Sequence, residues 1–222
     1  MNVISYINGD AQITDFPACS ARPLAVFVQA CNDLLAGPNG YLSPEKSVLA
    51  LELGWQTVGT ADVSDSVVHA WVTELLSSPT WGVVRYVKIT AAKVIFDIAE
   101  LHRRAASADV PSAAEWSAAD RAARRVAGPL KSAAPVAGFY AIRAAYQSTW
   151  PLTAGNGFAL DVVAGSALQA HLLAAGGAAS GRIVELTRNA IDTWRRLTQE
   201  QNAARADSAP IDVDLQLVGV SA

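Results

Sequence analysis

Apolar residues recur at three- and four-residue intervals in successive segments of this chain, the spacing that gathers them on one face of an α-helix. From about Pro23 to Ala36 that face is Leu24, Phe27, Val28, Cys31 and Leu35, and Gly37-Pro38 ends the run. The next helix is predicted to open at Ser43-Pro44-Glu45. This places a hydroxyl at the N-cap, a proline at the first helical position where its missing N–H costs nothing, and an acid in the first turn. A third follows Ser64 through Val68, Trp71, Val72 and Leu75 until Ser77-Ser78-Pro79, where proline blocks continuation. In the segment from Val83 to Ala106, the β-branched Val83, Val84, Val87 and Ile89 suit a short strand ahead of a helix carrying Val94, Ile95, Ile98 and Leu101.

Ser112-Ala113-Ala114-Glu115 has the form of a capping box, in which serine and glutamate side chains reciprocally satisfy orphan backbone N–H groups, and Gly128-Pro129 is expected to close that helix. Further helices are predicted from about Val136 to Ser148, Phe158 to Ala175 and Gly181 to Ala206, with Gly176-Gly177 as a break. The ends read differently. Val3, Ile4, Tyr6 and Ile7 at one end, and Ile211, Val213, Leu215 and Leu217 with Asp212 and Asp214 alternating at the other, have an extended, strand-like pattern. The expected architecture is therefore all-α, a helix bundle over residues 21–206 with extended or strand-like arms at 1–20 and 207–222.

Composition adds an expectation about partners. Hydrophobic residues make up 51% of the 222 and charged residues only 17%, which excludes a disordered chain and leaves little polar cover for a lone globule. Some apolar surface is expected to meet a partner. The start, MNVISYINGD, has no basic n-region or apolar h-region, so a cytosolic chain is expected. The stretch from Gly155 to Gly181 is interrupted by Asp161, Gln169, His171 and glycines, short of the ~20 mostly apolar residues that span a bilayer, so no membrane partner is expected. Cys19 and Cys31 match neither a redox nor a zinc spacing and read as two unpaired, buried thiols.

The chemistry-bearing residues form no recognisable motif. His69, His102 and His171 are never four apart and lie in no HExxH context, so no metal is expected and each reads as a satisfied core or surface residue. The glycines of Ala154-Gly155-Asn156-Gly157 and Gly176-Gly177 do not form a phosphate loop, and no GxSxG elbow occurs. Neither a cofactor nor a catalytic residue is predicted, and the chain is not expected to be an enzyme.

Charge placement changes the picture. Between Arg85 and Arg143 ten Lys/Arg face five Asp/Glu, a local +5, while the rest of the chain carries −8. Arg103, Arg104, Arg121, Arg124, Arg125 and Lys131 are the candidate phosphate contacts, since arginine forks bind phosphates bidentately and a groove of them tracks a nucleic-acid backbone without reading its sequence. The alternative is a solvated face whose charges pair with Glu115 and Asp120. Of the six tryptophans, Trp116 opens the basic helix and is either a core anchor or a platform for a stacked base.

Three short runs, Val68-His69-Ala70-Trp71, Ser77-Ser78-Pro79-Thr80-Trp81 and Ala91-Ala92-Lys93-Val94-Ile95-Phe96-Asp97, follow one another in the order and spacing of the central segment of coat proteins of flexuous filamentous plant viruses, which this chain resembles there. Pro111-Ser112-Ala113-Ala114-Glu115 with its alanine-rich helix is similar too, and Arg85-Tyr86 and Arg124-Arg125 are similar to rod-shaped tobamovirus coats. The resemblance covers about 60 of the 222 residues. It implies a coat or nucleocapsid subunit that self-assembles into a helical filament through its terminal arms, packages single-stranded RNA in a basic groove, and resides in the virion and host cytoplasm. The flexuous family pairs the aspartate of its Phe-Asp doublet with an arginine upstream of the tryptophan helix, whereas this chain has no arginine between Arg22 and Arg85. Two other readings stand beside it: a bacterial helical partner-binding module such as a toxin immunity protein, and an enzyme with an apolar pocket between helices around Gly155 to Gly177.

Overall fold

A computed structural model of the chain describes residues 1–132, 136–152 and 157–208. The elements in order are α1 (Asn2–Asn8), α2 (Arg22–Leu35), α3 (Pro44–Gln56), α4 (Asp65–Ser77), a 3-10 turn (Val83–Tyr86), α5 (Ile89–Ala106), α6 (Ala113–Leu130), α7 (Ala137–Ser148), α8 (Gly157–Ala175), a second 3-10 turn (Gly176–Ala178) and α9 (Ala179–Ser208). The fold is all-α, and among the described residues no strand forms beyond an isolated bridge between Ser20 and Val58.

The core is organised around Trp71 of α4, which is fully buried. Phe27 of α2 and Trp194 of α9 meet it edge-on at 6.2 and 5.4 Å between ring centroids, and Trp81 tilts against it at 6.4 Å. Buried indoles keep their N–H groups only if each finds an acceptor. Trp71 Nε1 donates to the Ala190 carbonyl at 3.0 Å and Trp194 Nε1 to the Thr60 carbonyl at 3.1 Å, so the two rings lock α9 to α4 and to the loop before it. Helix α8 buries Leu160, Val163, Ala164, Ala167 and Ala170 against α2 and α7, which is why it is apolar on nearly every face. By length and composition the α8–α9 stretch would also suit a bilayer, with half of its most apolar window buried inside the protein.

Local signals set the helix starts. Ser43 accepts the Lys46 N–H at the head of α3, and at the head of α6 Ser112 Oγ accepts the Glu115 N–H while Glu115 Oε2 accepts the Ser112 N–H at 2.8 Å. Three expectations are corrected. The N-terminal segment is not an extended arm: Asn2–Asn8 is helical, closed by Gly9 in the left-handed region at φ 76°, and Ile4 is buried with its side chain against Gly54 of α3. Packing and a glycine C-cap outweigh the β-branched composition there. Val83–Tyr86 is a 3-10 turn instead of a strand, because no partner strand is at hand and the chain must fold back on the end of α4. Gly82 makes this possible, since an added Cβ would stand 2.6 Å from the Ser78 carbonyl oxygen. Helix α6 runs past Gly128 to Leu130 with Pro129 inside its last turn. At the other end α9 is helical to Ser208, so the predicted C-terminal arm begins in helix, and its strand-like residues 209–222 lie outside the described residues.

Candidate functional site

The arginines singled out from sequence fall on two packed helices, Arg103 and Arg104 in the last turn of α5 and Arg121, Arg124 and Arg125 along α6, with Lys131 just beyond it. Carboxylates meet half of these six groups. Arg103 pairs with Glu100 one turn back. Arg104 reaches Asp109 at 2.7 Å and Glu115 at 2.6 Å, and these bonds hold the Glu115 carboxyl down to about 2 while raising the Arg104 guanidinium. Arg124 pairs with Asp120 at 2.8 Å and lies over the Tyr146 ring at 4.5 Å. Arg121 donates to Ser117 Oγ. Among the described residues no ion pair reaches Arg121, Arg125 or Lys131, all of which are exposed. Asp97, the aspartate of the Phe-Asp doublet, is an exposed partner of Lys93 at 3.0 Å and not a buried ion-pair member.

On another side of the molecule apolar side chains are left uncovered. Helix α3 buries only Leu53 and Gly54, while Val48, Leu51 and Trp55, three and four residues apart, stand exposed at 68%, 42% and 43%. Helix α1 continues the patch with Val3, Tyr6 and Ile7, also spaced three and four apart and exposed. Shallow depressions run along this face. One is lined by Val48, Leu51, Trp55 and Ile191, and its neighbour by Val3, Ile4, Leu42 and Leu51. Arg195, beside the first, is held by the Gln56 and Val58 carbonyls.

A third feature is a column of polar groups that runs from the interior to a cavity. His69 of α4 and His102 of α5 stand Nδ1 to Nδ1 at 2.8 Å, and His102 Nε2 lies 2.9 Å from Ser148 Oγ of α7. His102 and Ser148 are buried. Burial, with His69 alongside, holds His102 neutral far below the ordinary histidine range, and burial lowers His69 against the opposing pull of Asp65. Trp116 of α6 stacks on His69 at an interplanar angle of 22° and tilts over His102 at 4.8 Å between ring centroids. Sequence missed this cluster because His69 and His102 are 33 residues apart and meet only through the α4–α5 packing. Trp116, which sequence left as either a core anchor or a platform for a stacked base, is half-buried against the two imidazoles.

His171 of α8 bonds Tyr86 Oη through Nδ1 at 2.8 Å, and its Nε2 is buried without a partner among the described residues. Burial, followed by the Arg85 and Arg182 charges, pushes it down to about 4. Cys31 is a buried free thiol beside Thr187, whereas Cys19 is free but only half-buried, not fully buried as expected. No group of three or more metal-ligating side chains occurs among the described residues. The pocket expected around Gly155 to Gly177 falls partly on residues 153–156, outside the described residues. No model of a known protein family matches the chain, and no curated protein or solved structure matches it either.

Proposed function

We propose that this protein is a non-enzymatic structural subunit that assembles with further copies of itself, the α1–α3 face of each copy being the principal contact. The observation that supports it is the exposure of Val3, Tyr6 and Ile7 on α1 and of Val48, Leu51 and Trp55 on α3, with Val3 and Leu51 lining one depression. Water-exposed apolar groups in such a contiguous patch favour burial at ~25 cal/mol per Å2, and tryptophan and tyrosine are the side chains that most often anchor protein contacts. A coat subunit of the kind the sequence resembles would use such a face to polymerise.

Packaging of single-stranded RNA is the second part of the proposal, favoured by Arg121, Arg125 and Lys131, whose charges stay exposed and unmet by carboxylate among the described residues. Arg103, Arg104 and Arg124, already paired, would have to exchange a carboxylate for a phosphate and so contribute less.

The test is light scattering and negative-stain electron microscopy of the purified protein across concentration, with the absorbance ratio at 260 and 280 nm before and after RNase. Concentration-dependent oligomers, rings or filaments support the assembly proposal, and RNase-protected nucleic acid in them supports packaging. A monomer at every concentration and salt overturns self-assembly and leaves the α1–α3 face to a different protein, the partner-binding module. Assemblies free of nucleic acid overturn packaging alone.

A further inference from the structure

The hydrogens of the histidine column can be assigned by counting donors. Ser148 Oγ–H donates to the Ala145 carbonyl one turn back at 2.8 Å, so toward His102 the serine oxygen can only accept. His102 therefore carries its proton on Nε2 and presents a bare Nδ1. The Nδ1-to-Nδ1 contact at 2.8 Å then requires the proton to be on His69 Nδ1. A neutral imidazole has one N–H, so His69 is left with a lone pair on Nε2, and among the described residues no hydrogen bond uses it.

His69 is one wall of a cavity of about 550 Å3, a size ordinary for small-molecule sites. Much of the remaining wall is apolar, from Trp116, Trp150, Pro111, Pro151 and Leu152, with Ser117, Asp120 and Thr149 as its polar part. Trp150 stays 45% exposed at the rim although α7, which it follows, is largely buried. The carboxylate in the lining, Asp120, is already taken by Arg124. The cavity thus offers aromatic and proline surfaces together with an imidazole lone pair held in one tautomer from behind by two buried groups.

We propose that this cavity is a binding site for a small planar aromatic molecule carrying one N–H or O–H donor, which stacks between the aromatic walls and donates to His69 Nε2. The site does not depend on assembly. The buried His102–Ser148 pair acts as a positioning device, since it fixes which nitrogen of His69 is bare.

Indole and 1-methylindole differ by the one donor at issue and are the probes, titrated into the full chain at pH 7.5 by calorimetry. Saturable binding of indole is expected, with 1-methylindole weaker by about tenfold, the worth of one hydrogen bond in a partly enclosed site. The Trp116 and Trp150 indole signals in NMR spectra, assigned with tryptophan-to-phenylalanine variants, should shift with indole. His69→Phe should bring indole down to the level of 1-methylindole and leave the latter unchanged. Trp150→Ala, at the exposed rim, should weaken both probes alike and covers the case in which His69→Phe does not fold. Absence of saturable binding by indole, equal binding of the two probes by the native chain, or an unaltered ratio in folded His69→Phe would each overturn the proposal.

Discussion

On α6, Arg124 finds Asp120 one turn back and a tyrosine ring beneath it, and on α5 Arg103 and Arg104 find Glu100, Asp109 and Glu115; on α1 and α3, Val3, Tyr6, Val48, Leu51 and Trp55 keep much of their surface in solvent. Sequence drew attention to the first surface through its excess of positive charge, yet half of the groups singled out there, Arg103, Arg104 and Arg124, are answered from within. Of the second it singled out only the α1 residues, as an extended arm, because α3 reads as an ordinary capped helix. Net charge over a segment counts ions without regard to distance, whereas the field outside depends on which remain unpaired. An apolar side chain has no such means of cancellation along its own helix: it is covered by another element or left exposed.

Acid should separate the two sides most strongly. All three histidines lie in the bundle, on α4, α5 and α8, and none on α1 or α3. Each has its pKa lowered in the fold, His171 to about 4 and His102 well below the usual value, mainly by burial. Below pH ~6.5 an unfolded chain takes up protons that the native bundle refuses, so the unfolded state binds more protons and stability falls as pH falls. From His171 alone the loss should approach roughly 3 kcal/mol by pH 4, the greater part of it by pH 5. Urea unfolding at pH 7.5, 6 and 5, with hydrogen exchange at each, measures it. Protection in α4, α5 and α8 should fall before that in α3, and a stability flat down to pH 5 would remove the distinction.

The next largest effect concerns the uncovered side. Trp55→Asp places a charge in the middle of the α3 stripe, at a residue already 43% exposed. The folded monomer should lose little, since surface changes away from packed features cost within ~0.5 kcal/mol. Association should weaken by roughly thirtyfold, the ~2 kcal/mol of an interface anchor. Arg121→Glu on α6 is the control, and sedimentation velocity of both variants reads the difference. Equal loss of association in the two would mean that the charged side is the contact after all.

Helix positions were legible because their signals are local: Pro44 and Ser43 lie within one turn of the start they define, as do Ser112 and Glu115. The i,i+4 pairs Lys93–Asp97 and Arg124–Asp120 are equally local, and the sequence alternative of a face paired with Glu115 and Asp120 matches the partners of Arg104 and Arg124. The His69–His102 contact is not legible in that way, since it joins two helices whose approach depends on the whole bundle. The N-terminal run was misread because Val3, Ile4, Tyr6 and Ile7 have strand-like composition. The contrary signal, Gly9 closing a two-turn helix, is one residue, and the contact that decides the matter, Ile4 on Gly54, is some fifty residues distant.

The smallest expected effect compares the two caps. Ser112 belongs to a reciprocal box whose glutamate also holds Arg104, so its hydroxyl supports both the head of α6 and the α5–α6 junction. Ser43 caps α3 through one bond of 3.4 Å, at the head of a helix that buries only Leu53 and Gly54. Ser112→Ala should therefore cost about 1 kcal/mol, and Ser43→Ala no more than about 0.5 kcal/mol, near the low end for lost N-caps. Urea titration of the two variants at pH 7.5 resolves that difference if the slopes match. A larger loss at Ser43 would mean that α3 is bound into the cooperative unit as firmly as α6. Its apolar stripe would then be an outer face of a rigid body, and partners would dock on it without reshaping it.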